Sequence, residues 1–440
     1  MVCVSLRSST TLYVVKWWGV HRYSVNNLHP VDSSDPLHSV HRSISSPSPS
    51  VHSTPPLTKW IPRIPGPAAR QPPKAASVCA ASPDRHDTYL PSRAIEQGDA
   101  SMVYYRPAPI GADLRYGFER RVERDESVEE HLDGLCDALR VLHEGGRGAE
   151  RLGGVVTWRG MMTRIMTAPF EDRDGWEMNC VPLGGSIYLE LDDPPEKRSY
   201  RAKDSAKWAL QSYMGYSYES FSTTTPEGDP EDSPEGWSGD VNTNVQWCNI
   251  VRSAIGEIPL CLGGEVDCVQ AEVGAPNPGL DACVELKTNK VIDSDRADMV
   301  FHKKLLKHWA QSFLLGVPTV ELGFRTEEGI IAERHLFETE RIPALVASGP
   351  RPAWYPTPCL HFLHAVLGLL VRHLLPADPR PPGAPPVYAS EGNLPPAPTF
   401  RLRFTPRRGV ELFRLPSVNS ERWGGILTED YTRHVLERDA

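Results

Sequence analysis

Two short acidic motifs carry the chemistry that this chain can do: Glu265-Val266-Asp267 and Glu285-Leu286-Lys287. Side chains on a β-strand alternate between faces, so positions two apart point the same way. If each motif lies on a strand, Glu265 shares a face with Asp267, and Glu285 with Lys287. The neighbouring residues Val266, Val269, Val284 and Leu286 are apolar. The connection 271–281 is long enough for the two strands to lie side by side. Three carboxylates and one ammonium then meet at one place. Burying such charges is costly unless something compensates. A hard cation such as Mg²⁺ or Mn²⁺ does so, taking oxygen ligands in an octahedron and keeping several waters. A cation held there polarises a phosphoryl oxygen and lowers the pKa of a bound water. The lysine orients that water or offsets charge that builds up on the phosphate.

This is the logic of a D…(E)-x-K nuclease site, a metal-dependent hydrolase of nucleic-acid phosphate bonds. The competing reading is a salt-bridged pair of strands with no chemistry. Other residues bear on the choice. Gly215-Tyr216-Ser217-Tyr218-Glu219 sets a carboxylate among aromatics, a further candidate ligand, and Glu190 in Tyr188-Leu189-Glu190-Leu191 is its rival. Trp158-Arg159-Gly160 puts an arginine at an apolar strand, where it suits a phosphate or a structural ion pair. On a helix over 302–315, Lys304, Lys307 and Gln311 share one face, able to border a nucleic-acid channel or simply to meet water. Leu305, Trp309 and Phe313 form the core-facing side. His302 and His308 read as structural.

These residues need elements to position them. Gly153–Met166 and Ser186–Leu191 read as strands, as do Leu262–Gln270 and Ala282–Thr288 around their Gly/Pro loop. Glu129–Glu144 is an amphipathic helix, with Leu132, Leu135, Leu139 and Leu142 at helical spacing. Val245–Ile255 and Phe301–Leu315 read as further helices. From Thr399 the pattern is strand followed by helix. No internal repeat is present.

The 440 residues suffice for one large domain or two. A hydrophobic share of 40% and a charged share of 23% are those of a globular chain. The net charge of −9 argues against loose, charge-driven nucleic-acid binding, though not against a local basic channel. Nine scattered cysteines without metal spacing read as reduced thiols. Phe362–Leu375 is short and interrupted by His364, Arg372 and His373, so it reads as a buried helix and no membrane association is expected. Residues 1–88 are rich in Ser, Pro and His and poor in acids, which predicts a disordered tail, with a transit peptide as the alternative. The catalytic domain is expected over 89–440. Within it, 223–240 reads as an acidic surface insertion and 376–398 as a Pro-rich loop.

The motifs in series resemble the DXO/Rai family of RNA 5′-end decapping nucleases. The matching stretches are Val156-Thr157-Trp158-Arg159-Gly160, Gly215-Tyr216-Ser217-Tyr218-Glu219, Val241-Asn242-Thr243-Asn244-Val245, Gly264-Glu265-Val266-Asp267-Cys268 and Val284-Glu285-Leu286-Lys287-Thr288. His302-Lys303-Lys304-Leu305-Leu306-Lys307, Trp309-Ala310-Gln311-Ser312-Phe313-Leu314 and Gly323-Phe324-Arg325 follow. The resemblance is strong from Gly98 to Arg325, weak beyond it and absent before about residue 89. It implies an α+β fold: a single catalytic domain of two twisted mixed β-sheets packed with helices. It implies a divalent metal, Mg²⁺ or Mn²⁺, held by Glu219, Asp267, Glu285 and the carbonyl of Leu286, with Glu265 serving both metal and substrate. Lys287 and Gln311 would contact substrate near the scissile phosphate. Trp158, Arg159, Gly160 and Cys248, on its helix, would line the RNA path, with Glu130 and Arg93 as upstream contacts. The implied activity is removal of unmethylated or NAD caps, and of pyrophosphate from 5′-triphosphate RNA, with 5′→3′ exoribonuclease activity in some members. The implied partners are RNA 5′ ends and a nuclear 5′→3′ exoribonuclease. The implied location is the nucleus, with the cytoplasm as alternative. Two other readings stay open: a mainly non-catalytic stabiliser of that exoribonuclease, and a DNA nuclease of the wider D…(E)-x-K kind.

Overall fold

Alternating and helical apolar patterns dictate the elements, and a computed structural model of the chain shows how they assemble. It describes Val2–Ser5, Thr11–Trp17 and residues 102–124, 131–144, 153–192, 206–275, 278–349, 351–377, 394–416 and 421–438. The strands in chain order are β1 (Val2–Ser5), β2 (Thr11–Trp17), β3 (Tyr104–Tyr105), β4 (Gly154–Trp158), β5 (Trp176–Leu183), β6 (Ser186–Leu191), β7 (Thr223–Thr224), β8 (Cys248–Ile255), β9 (Ile258–Glu265), β10 (Cys268–Val269), β11 (Cys283–Lys290), β12 (Thr319–Arg325), β13 (Ile331–Glu338), β14 (Phe400–Thr405) and β15 (Gly409–Arg414). The α-helices among the described residues are α1 (Asp133–Glu144), α2 (Arg159–Thr167), α3 (Ala206–Phe221), α4 (Asp295–Leu315), α5 (Ile342–Ala347), α6 (Pro356–Leu374) and α7 (Glu429–Arg438).

The strands form two mixed sheets, one ordered β1-β2-β15-β14-β5-β6-β4-β9-β8 and the other β13-β12-β11-β10-β3-β7. In the first, β4 runs parallel to both β6 and β9; in the second, β11 runs parallel to β12 and β10 to β3. The fold is thus α+β with two mixed sheets. One apolar core joins both sheets. Val155, Ile187 and Leu262 of the first meet Val269, Val320 and Leu322 of the second, together with Met162, Ile165, Phe301, Leu305, Trp309 and Phe362 from helices. The other face of the first sheet packs against α1 and α7. The other face of the second packs against α3, through Tyr213, Met214, Tyr218 and Phe221. Helix α4 is well delimited. The Ser294 side chain accepts from the Ala297 N–H, two aspartates sit in the first turn, and Gly316 closes the end at φ 73°.

Several readings change. Gly153–Met166 is not one strand: β4 stops at Trp158 and α2 begins at Arg159. Met162, Ile165 and Met166 are buried at helical spacing, which a continuous apolar run hides. Val245–Ile255 is not a helix; Cys248–Ile255 is strand β8, paired with β9 from Cys248↔Glu265 to Ile255↔Ile258. Val2–Ser5 and Thr11–Trp17 depart from the disordered reading of 1–88. They pair with each other, and β2 adds to β15. The run Thr-Leu-Tyr-Val-Val-Lys-Trp is built of strand-forming residues. Residues 18–101 lie outside those described. The stretch 223–240 is not purely surface: Trp237 is buried, edge-on to Tyr116 and Phe221, and Asp229 and Asp240 pair with Arg106 and Arg120. Of 376–398, residues 378–393 lie outside the described part. Phe362 to Leu374 is indeed helical, and no described helix is long and apolar enough to cross a membrane.

Candidate functional site

The acidic motifs meet at the seam between the two sheets. Glu265 is the last residue of β9, in the first sheet, and stands opposite Cys248 of β8. The chain then crosses to the second sheet, where Cys268 and Val269 of β10 pair with Val284 and Cys283 of β11. Asp267 lies in the crossing, one residue before Cys268, so it faces Glu285. The expectation of two strands side by side therefore holds for β10 and β11 but not for Glu265, which belongs to the other sheet.

Glu285 and Lys287 do share a face of β11: the ammonium lies 2.8 Å from Glu285 Oε1. It is also 3.2 Å from Asp267 Oδ2 and donates to the Leu286 carbonyl at 2.8 Å. The Leu286 N–H donates to Asp267 Oδ2 at 2.6 Å. Arg159, at the start of α2, brings Nη1 to 3.5 Å from Glu285 Oε1. Glu219, near the end of α3, completes the set; among charged groups Asp267 and Glu265 act on it most strongly.

Four carboxylates against one ammonium and one guanidinium leave two negative charges unbalanced. The consequence is visible in their acidities. Burial, with Asp267 and Glu265 beside it, raises Glu219 well above the carboxylate range. Burial and Asp267 push Glu265 up to about 7. Burial also raises Asp267, against the pull of Lys287. Burial would raise Glu285 too, but Lys287 and Arg159 bring it below its ordinary value. For Lys287, burial works against the charge, yet Asp267, Glu285 and Glu219 hold its pKa well above the ordinary value.

The donor set suits a hard divalent cation. It is all oxygen, it carries two surplus negative charges, and Glu285 Oε2 is buried without a hydrogen-bond partner. Among the described residues, no three His, Cys, Asp or Glu side chains already form a metal cage as they stand. The ammonium of Lys287 lies among the oxygens instead.

The walls come from four elements. The Trp158 ring lies over Gly263, where an added Cβ would come within 2.5 Å of it, and its indole N–H donates to the His131 carbonyl. An added Cβ at Gly160 would meet open space. Cys248 is buried at the start of β8 rather than on a helix, opposite Glu265. Gln311 is partly buried on α4, one turn beyond Lys307 and His308. Burial and then the charges of Arg164, Arg159 and Lys287 lower the Lys307 pKa. Lys304 donates to Asn289 Oδ1 at 3.0 Å. Arg93 and Glu130 lie outside the described residues. Glu190 is not part of the cluster; it accepts from His131 Nδ1 at 2.8 Å.

Two features escape the sequence reading. One is the state of His308: burial, with Lys287 next in effect, pushes it down to about 3, so it stays neutral. Glu321, fully buried on β12 opposite Leu286, accepts from Tyr218 Oη at 2.8 Å and from Arg334 at 3.3 Å. The Tyr218 ring lies where a Cβ on Gly323 would be, within 2.3 Å. This contact fixes α3, and hence Glu219, against the strand next to β11. The available signal was a carboxylate in the apolar run Val320-Glu321-Leu322, the same kind that singled out Glu285.

A family model described as RAI1 like PD-(D/E)XK nuclease matches residues 86–432. The chain is 54% identical over 353 residues to a decapping nuclease RAI1 of Cryptococcus neoformans, across 79% of this chain and 91% of that one. It is 38% identical over 297 residues to the human decapping and exoribonuclease protein, across 64% and 72% respectively. The crystal structure of S. pombe Rai1 in complex with 3′-FADP is similar at a TM-score of 0.56 and 29% identity, across 78% of this chain and 97% of that one.

Proposed function

The chain belongs to the RAI1-like PD-(D/E)XK nuclease family, and from that premise we propose a divalent-metal-dependent hydrolase of RNA 5′ ends. It removes unmethylated or NAD caps and takes pyrophosphate from 5′-triphosphate RNA. The observation that carries this reading is the buried set of Glu219, Glu265, Asp267, Glu285 and Lys287 at the seam. The names of the fungal and human relatives support the RNA 5′ end as the substrate. A mainly non-catalytic role has no use for so costly a cluster.

Glu219, Asp267, Glu285 and the Leu286 carbonyl are the groups that would hold the cation, with Glu265 shared between cation and substrate. When bound, the cation supplies a polarised phosphoryl oxygen and an acidified water. The chain's own residues do the rest. Lys287 and Arg159 keep positive charge where the phosphate gains negative charge. Gln311 offers an amide from α4 to orient the substrate, and Trp158, Gly160 and Cys248 shape the path of the RNA. Glu130 and Arg93 take the upstream contacts that the family resemblance gives them.

A panel of RNAs decides the substrate. RNAs bearing a methylated cap, an unmethylated cap, an NAD cap, a triphosphate or a monophosphate are incubated with Mn²⁺, and the released group identifies the bond cut. The expected result is turnover of the unmethylated cap, NAD cap and triphosphate ahead of the methylated cap. Equal turnover of matched DNA would reduce the chain to a general D…(E)-x-K nuclease. Shortening of the monophosphate RNA from its 5′ end would add the exoribonuclease activity.

A nuclear location and association with a 5′→3′ exoribonuclease belong to the same proposal, resting on the family resemblance. A tagged, folded Glu285→Ala chain is expected to co-purify that exoribonuclease from nuclei as wild type does. Its absence from both preparations rules the association out.

A further inference from the structure

Lys287 Nζ contacts Glu285 Oε1, Asp267 Oδ2 and the Leu286 carbonyl, and all three oxygens belong to the set that would hold the cation. We propose that the Lys287 ammonium and the divalent cation compete for these three oxygens, so that the lysine acts as a built-in plug that the cation must displace. The inference deepens the proposed function and rests on it.

Three observations carry it. First, an ammonium is a compact cation with three donors, and here it meets three acceptors at 2.8 to 3.2 Å. That is the geometry of a small cation among oxygen ligands. Second, the plug fits incompletely. With its one positive charge counted the cluster still lacks two, and Glu285 Oε2 stays buried without a hydrogen-bond partner. A divalent cation answers both deficits. Third, among the described residues no three His, Cys, Asp or Glu side chains form a metal cage as they stand, and the ammonium lies between Glu285 and Asp267. Opposite charges hold the lysine in place, so cation binding pays for breaking those contacts.

Removing the ammonium should therefore tighten cation binding while impairing hydrolysis, a combination that a purely catalytic lysine does not produce. The experiment titrates Mn²⁺ into wild-type protein, Lys287→Met, Lys287→Gln and Arg159→Gln, by calorimetry and by the electron spin resonance of free Mn²⁺. Both Lys287 variants are expected to bind Mn²⁺ about tenfold more tightly than wild type, the worth of one charged hydrogen bond. Arg159→Gln controls for charge alone, because among the described residues its guanidinium pairs with Glu285 and not with Asp267 or the Leu286 carbonyl, and it should gain less than about threefold. The glutamine variant keeps the competition testable if the methionine variant does not fold. Equal or weaker Mn²⁺ binding by the Lys287 variants, or the same gain from Arg159→Gln, overturns the plug and leaves the proposed function standing. No Mn²⁺ binding by any form overturns both.

Discussion

Glu285→Gln is expected to abolish hydrolysis of RNA 5′ ends and to leave a folded protein. Glu285 is fully buried and holds Lys287 on one oxygen, while the other has no hydrogen-bond partner. The amide keeps the size and one acceptor but loses the charge that a hard cation requires. The expected loss is about a thousandfold or more in kcat, the scale on which removal of one preorganised electrostatic group is felt. The fold should survive, because Lys287 keeps Asp267 as a partner and repulsion among the remaining carboxylates falls. Rates are measured on 5′-triphosphate RNA with Mn²⁺, alongside the urea midpoint of each protein. An unchanged rate ends the assignment. A rate that falls only in step with the folded fraction makes Glu285 structural.

The second large effect couples pH, cation and stability. Glu265 is pushed up to about 7 by burial and by Asp267, whereas in the unfolded chain it ionises near its ordinary 4.5. Between these values the folded protein holds a proton that the unfolded chain has released. Stability is therefore greatest at low pH in this window and is lost as pH rises through about 7. Glu219 and Asp267 are raised as well and act in the same direction. Glu285 is lowered, so its opposite contribution falls below this window. With cations removed by a chelator, the melting temperature should fall between about pH 5 and about pH 7, through a loss of a few kcal/mol at most. Saturating Mg²⁺ should flatten or reverse that slope, because the cation binds the ionised carboxylates of the folded state alone. A flat profile in chelator, or the same slope with Mg²⁺, would falsify the idea that these carboxylates share one buried field.

Local patterns were legible. Strand alternation placed Glu285 and Lys287 on one face, and the ammonium is indeed 2.8 Å from the carboxylate. Helical spacing identified α4, with Leu305 and Trp309 buried and Gln311 on another side. The run Val245–Ile255 shows where local pattern is ambiguous. Its apolar positions fit a helix or a strand, and pairing with β9 decides for the strand. Gly256-Glu257 between two apolar runs, with Gly256 at φ 60°, was the hairpin signal that outweighed the spacing.

The sequence by itself determined the chemistry: which carboxylates, which lysine, and their order along the chain. These follow from residue type and from periods of two and 3.6, which involve only neighbours in the chain. Only the tertiary structure decided that Glu265 ends a strand of one sheet while Asp267 lies in the crossing to the other, and that Arg159 opens a helix to reach Glu285. It also decided that Lys287 sits among the oxygens meant for a cation. The reason is that strand partners and sheet membership are set by pairing between distant segments, whose register no local period encodes. The two motifs thus named the ligands, and the crossing between the sheets turned them into a site.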